Sequence, residues 1–226
     1  MADMHVLRVF TNDNGGGGNP LGVFLHGDAI PADRRQEIAT EVGFSETVFV
    51  DDLRQGKVQI FDPASEVPFA GHPRVGTAWL LSNQGISINR MHVSAGVVDC
   101  WAEGDETWVR GKPDWGPRWD LVGLNSPNDV DQLRNSPGGL IRAMAWAWEN
   151  TEAGDVRARV FAMYCGVFED AATGSAALRL AGYLGRDIVV RQGADNSLVR
   201  ARVSERAGYC EVGGRTTIDE IRDIKV

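Results

Sequence analysis

Phe69-Ala70-Gly71-His72-Pro73 runs directly into Val75-Gly76-Thr77-Ala78-Trp79-Leu80-Leu81, and roughly a hundred residues later Glu169-Asp170-Ala171-Ala172-Thr173-Gly174-Ser175 runs into Ala176-Ala177-Leu178. Each stretch sets a polar side chain at the opening of a helix built from small and apolar residues. The surroundings repeat as well. Val58-Gln59-Ile60-Phe61 and Ala158-Arg159-Val160-Phe161 are both strand-like, and each Phe is followed six residues later by a valine, Val67 and Val167. Both helical runs stop at a glycine, Gly85 and Gly185, the residue that most readily takes the left-handed conformation closing a helix. The pattern is that of an internal duplication with one cleft between two related halves, residues 1–112 and 113–226.

Working outward from the first motif, Pro73 is favoured at the first helical position, which predicts His72 as the cap residue; Thr173 or Ser175 can serve the second helix. The first turns then offer unpaired N–H groups and the positive end of the helix dipole to whatever lies between them. A carboxylate is the natural guest. Ala70-Gly71 and Gly174-Ser175-Ala176 are small because backbone must come close there.

Upstream, Phe44-Ser45-Glu46-Thr47-Val48-Phe49-Val50 has strand composition. Period-two geometry puts Phe44, Glu46, Val48 and Val50 on one face. A carboxyl among apolar neighbours has a raised pKa, which suits it to take or give a proton near neutral pH. Glu46 is therefore the best general-base candidate, with His72 and Asp170 placed to relay or orient the proton. Each residue alone has a blander reading, as a solvated strand-end glutamate, a plain cap and a turn aspartate. Their joint placement around duplicated turns favours the catalytic one.

The rest of the chain sets the frame. His5–Phe10 and Leu21–Leu25 read as strands joined by a flexible Gly15–Gly18 turn; no Lys-Ser/Thr and no helix follow it, so it is no phosphate loop. Residues 31–42 carry Ile38, Ala39 and Val42 at helical spacing and end at Gly43. Strands are expected within 87–98, 100–109, 188–190, 198–203 and 209–212, and the turn-rich 111–117 marks the boundary between halves. Residues 125–139 look irregular, and 140–149 fits a short helix or a strand. Trp101, Trp108, Trp115 and Trp119 could form an aromatic platform, but in an acidic chain packing is the stronger reading.

With 226 residues, 43% hydrophobic content and a formal charge of −8, the chain is a globular protein without the basic footprint of a nucleic-acid binder. The start of the chain lacks a signal-peptide pattern and no apolar run is long enough to span a membrane, so a cytoplasmic protein is expected. Three scattered cysteines and four unpaired histidines indicate neither a disulfide framework nor a metal site.

Gly18-Asn19-Pro20-Leu21, Gly43-Phe44-Ser45-Glu46-Thr47, Pro68–Pro73 and Glu169–Ala176 together resemble the signature stretches of the phenazine biosynthesis PhzF-like proteins, over roughly residues 5 to 110 and 156 to 215. The resemblance implies an α+β fold like that of diaminopimelate epimerase, two pseudo-symmetric halves each with a curved, mostly antiparallel sheet around a central helix. It implies cofactor-independent proton transfer on a small carboxylate, and a homodimer. Glu46 is then the acid/base, His72 and Asp170 assist, and Asn19, Gly71, Gly174 and Ser175 shape the substrate pocket. In the two-base epimerases and racemases sharing that fold a thiol stands at each helix start. Here His72 and Ser175 stand there and Cys165 comes too early, which disfavours symmetric thiol racemisation. Ala171 replaces an expected proline, Arg74 a smaller residue, and the segment around 111–155 is short; the last two are expected to alter the pocket or its lid. From a different class, the chain could be a catalytically silent small-molecule binder or assembly protein that kept the cleft.

Overall fold

A computed structural model describes residues 1–226. Its strands are β1 (Ala2–Thr11), β2 (Gly17–Phe24), β3 (Glu46–Asp52), β4 (Lys57–Phe61), β5 (Arg90–Val93), β6 (Gly96–Glu103) and β7 (Glu106–Gly111). They continue as β8 (Asp120–Gly123), β9 (Ala143–Asn150), β10 (Asp155–Ala162), β11 (Val167–Asp170), β12 (Ile188–Gln192), β13 (Ser197–Val203) and β14 (Cys210–Ile224). The helices are α1 (Ala32–Val42), α2 (Gly71–Asn83), α3 (Pro127–Asp131) and α4 (Gly174–Leu184).

β1 to β7 lie side by side in chain order, and β14 pairs with β7 at its start and with β1 over its remainder. That closes a ring of strands around α2. The ring explains why Gly71 through Ala78 are all buried, polar residues included. The other half is an open sheet in the order β14, β13, β12, β10, β9, β8, with β11 added on β10, curved over α4. Pairing is mostly antiparallel; the parallel neighbours are β2–β3, β4–β5, β10–β12 and β8–β9. The fold is thus α+β, one curved sheet around one helix in each half.

The core is one large cluster running through both halves, from Leu7 and Val9 to Val199 and Val212, and a smaller one in which Ile38 and Ala39 of α1 meet Phe24 and Phe49. α1 ends at Gly43 in the left-handed conformation, as its sequence predicts, and α4 ends in the same way at Gly185.

Several local expectations change. α2 begins at Gly71 with Ala70 as cap, so His72 is the second helical residue and not the cap. Proline is tolerated throughout a first turn, whose N–H groups have no intrahelical partners, so Pro73 does not fix the helix start. Thr173 does cap α4, but without a side-chain cap bond. Residues 140–149 resolve as strand β9, held by β10 on one side and β8 on the other. The irregular 125–139 contains α3, capped where Ser126 Oγ accepts from the Asp129 N–H. The glycine run is a turn only through Gly16: Gly17 opens β2, where a Cβ would lie 3.0 Å from the Asp195 carbonyl.

Candidate active site

α2 and α4 meet tip to tip. A Cβ on Gly71 would lie 2.8 Å from both Cα and C of Gly174, and one on Gly174 would lie 3.1 Å from Gly71 Cα. Only glycine permits that approach, since real Cβ contacts under 3.0 Å essentially never occur. The two first turns, with their unpaired N–H groups, therefore open on one enclosed cavity of about 30 Å3, lined by Gly71, His72, Gly174 and Ser175 from the helices and by Glu46 and Asp170 from the sheets. Asn19 lies beside it, bonded to Asp170.

Glu46 is the first residue of β3, held in register with Leu21 of β2. His72 Nε2 faces its Oε2 at 3.4 Å; the imidazole is 3% exposed and the carboxyl side chain 18%. Neither atom has a hydrogen-bond partner in the protein. Burial, reinforced by the nearby Asp170 charge, raises Glu46 to about 8 against the opposing pull of the Ser45 hydroxyl. Burial lowers His72 to about 3, although its imidazole donates to the Pro20 carbonyl. At neutral pH the proton of this pair belongs to Glu46, and the histidine presents a lone pair.

Asp170, at the end of β11, is the third member. Burial raises it to about 6 despite the hydrogen bonds from Thr173 and Asn19. Asn19 Nδ2 donates to Asp170 Oδ1 at 2.8 Å and to the Ala172 carbonyl at 2.9 Å, while Thr173 Oγ1 donates to Asp170 Oδ2 at 2.6 Å. Ser45 Oγ donates to Asn19 Oδ1 at 3.1 Å, joining the residue beside Glu46 to the same network. Two like charges so close cannot both be formed cheaply, and Glu46 and Asp170 titrate as a pair.

Glu46, His72, Asp170, Asn19, Gly71, Gly174 and Ser175 are thus brought to one place. Others were not anticipated. Gln192, fully buried in β12, donates to the Asp170 carbonyl at 2.8 Å and to Thr173 Oγ1 at 2.9 Å, and accepts from the Thr173 N–H at 3.0 Å. No motif marks it. Asp62 lines the cavity with Oδ1 engaged by the N–H groups of Ala64 and Ser65. Tyr164 and Cys165 form the opposite wall; burial pushes both upward, and the thiol donates to the Ala162 carbonyl. Trp119 also lines the cavity, whereas Trp115 packs edge-on against Phe69 and Trp108 lies buried under Arg202. Packing is therefore the right reading for those two. Arg74, expected at the pocket, lies off the cavity: it is 0% exposed, its guanidinium rests 3.3 Å over the Phe69 ring, and none of its nitrogens has a partner. No three His, Cys, Asp or Glu side chains are disposed to hold a metal ion.

The model of the phenazine biosynthesis-like PhzC-PhzF family matches residues 7–102 and 119–225. The chain belongs to that family. The trans-2,3-dihydro-3-hydroxyanthranilate isomerase of Pseudomonas fluorescens is 33% identical over 210 residues, 75% of this chain and 75% of that protein. In fold, the PhzF-family phenazine biosynthesis protein of Bacillus anthracis superposes with a TM-score of 0.81 at 19% identity, covering 100% of this chain and 99% of the other. A probable proline racemase from Agrobacterium radiobacter superposes at 0.66 with 11% identity, covering 100% and 93%. The family member is by class an isomerase with the epimerase-like architecture expected from its sequence.

Proposed function

We propose that this isomerase moves a proton on a small carboxylate substrate without a cofactor, and that Glu46 takes and returns that proton. The observation carrying the reading is the Glu46–His72 pair, 3.4 Å apart where two helix starts converge, with a carboxyl that titrates at about 8. A base matched to the working pH is the effective one, and about a tenth of Glu46 is ionised at pH 7.

The ionised Glu46 accepts a proton from a substrate carbon. The C–H electron pair moves into the substrate's carboxylate or conjugated system, and the negative charge spreads toward the first-turn N–H groups of α2 and α4, which are oriented before the reaction begins. Glu46 then returns the proton at another carbon, or at the other face, completing the isomerisation. His72, neutral, presents the lone pair of its Nε2 3.4 Å from Glu46 Oε2, within reach of the proton that the carboxyl carries between the two transfers. Asp170, fixed by Asn19, Thr173 and Gln192, keeps Glu46 basic by its charge. With room for only a few water molecules in the cavity, the two halves part to admit substrate. Three free thiols suit a reducing cytoplasmic setting.

The test is solvent deuterium uptake, read by mass spectrometry across amino, hydroxy and cyclic diene carboxylates, dihydro-hydroxyanthranilate among them. Uptake with the wild-type protein, and none with Glu46→Gln that still binds the carboxylate, is the expected result. Uptake retained in Glu46→Gln removes Glu46 from the mechanism. Carboxylate binding with no uptake by the wild-type protein marks a silent binder.

A further inference from the structure

Trp119 comes from the connecting segment between β7 and β8, yet its indole reaches the cavity wall at 4% exposure. Its Nε1 lies 3.0 Å from the Ser175 hydroxyl oxygen. An indole N–H is a donor and nothing else, so Ser175 Oγ is the acceptor in this contact. The hydroxyl hydrogen is then directed away from the indole, and it meets no acceptor in the protein. Ser175 is the second residue of α4 and lines the cavity, as His72 does from the second position of α2.

The segment is pressed onto Ser175: a Cβ on Gly116 would lie 3.1 Å from Ser175 Cβ. Trp119 also meets Tyr164 edge to face at 6.1 Å, and Tyr164 is backed by the Arg142 guanidinium at 3.9 Å. The indole is fixed from two sides, so the direction it imposes on the hydroxyl is fixed too.

We propose that Trp119 is a positioning residue that turns Ser175 into a hydrogen-bond donor to a substrate oxygen. Without the indole N–H, the hydroxyl rotates freely and its donation to an anion is no longer pre-arranged. The short connecting segment thereby contributes to substrate binding. The inference rests on the carboxylate reading of the site proposed above.

The probe is anthranilate, a flat-ring carboxylate, titrated calorimetrically against the wild-type protein, Trp119→Phe, Ser175→Ala and the double variant. Trp119→Phe keeps an aromatic ring but removes the donor together with part of the ring volume, and the double variant separates the lost hydrogen bond from the lost packing. Each single variant is expected to weaken binding roughly tenfold, the scale of one hydrogen bond to an ionised group, and the double variant no more than Ser175→Ala alone. A ligand-free readout accompanies these: the Trp119 indole N–H resonance in 15N NMR shifts upfield in Ser175→Ala. Multiplying effects in the double variant, wild-type affinity in Trp119→Phe, or an unmoved indole resonance overturns the inference while leaving Glu46 chemistry standing. Failure of the wild-type protein to bind any carboxylate overturns the carboxylate reading itself, and the inference with it.

Discussion

Replacing Gly71 with alanine tests the junction on which the site is built. The added methyl would sit 2.8 Å from Gly174 Cα and C and 2.9 Å from Ser175 N, all backbone at the start of α4. Ordinary contact begins at 3.4 Å, so the two helix starts must separate by about 0.6 Å or more, because no flexible side chain is there to yield. Alanine in a helix gains up to about 1 kcal/mol over glycine, and forced overpacking costs about 1–3 kcal/mol. The clash wins, and Gly71→Ala is expected to lose about 1–2 kcal/mol in urea denaturation. The effect on chemistry is larger: a misplacement approaching 1 Å costs about a hundredfold in rate, and the separation moves His72 and Ser175 relative to Glu46 and Asp170. Gly174→Ala, with nearest contacts at 3.1 Å, should suffer less. A Gly71→Ala protein with unchanged or higher stability and wild-type deuterium uptake would refute the tip-to-tip junction.

Arg74→Met should stabilise the protein. An unpaired guanidinium at 0% exposure costs several kcal/mol, against about 2 kcal/mol for its stacking on Phe69, so a gain of roughly 1–3 kcal/mol in urea denaturation is expected and a loss would contradict it. Gln192→Leu strands the Thr173 N–H and leaves Thr173 Oγ1 and the Asp170 carbonyl without their donor, for a predicted loss of roughly 2–4 kcal/mol by the same assay; a neutral result would mean that water replaces the amide. Stability should also depend on pH in a defined way. Glu46 holds its proton to about 8 in the fold and to 4.5 in the unfolded chain, so the folded state binds more protons across that window and the Glu46 contribution falls as pH rises through it. His72, lowered from 6.5 to about 3, acts in the opposite sense below pH 6.5. The net decline therefore shows between about 6.5 and 8, by at most about 1.4 kcal/mol per pH unit, and Glu46→Gln should abolish it. Deuterium uptake by the wild-type protein should rise with pH to a midpoint near 8, the ionised carboxylate being the active base; a midpoint below 6 would contradict that assignment.

The architecture was legible because the two motifs carry their constraints locally: glycine where backbones touch, small residues where a helix threads a sheet, and a carboxyl on the apolar face of β3. What was missed depends on partners distant in the chain. Gln192 is an unremarked polar residue in a strand until Asp170 and Thr173 are placed beside it. Trp119 is one tryptophan among seven until Ser175 meets its N–H. β14 read as a short closing strand over 209–212, because nothing in its polar Arg215–Ile224 stretch announces that it completes the ring on β1. The Leu140–Glu149 stretch stayed ambiguous since its Ala and Met residues favour helix while its tryptophans alternate as in a strand, and pairing with β8 and β10 decided it.

The most direct measurement is a 13C NMR titration of the side-chain carboxyls in the substrate-free protein, with Glu46→Gln used to assign the signal of Glu46. A midpoint at about 8 is predicted, with the carboxyl protonated opposite a histidine that stays neutral. A midpoint near the ordinary 4.5 would mean that Glu46 is already charged at neutral pH and solvated, and would contradict the account.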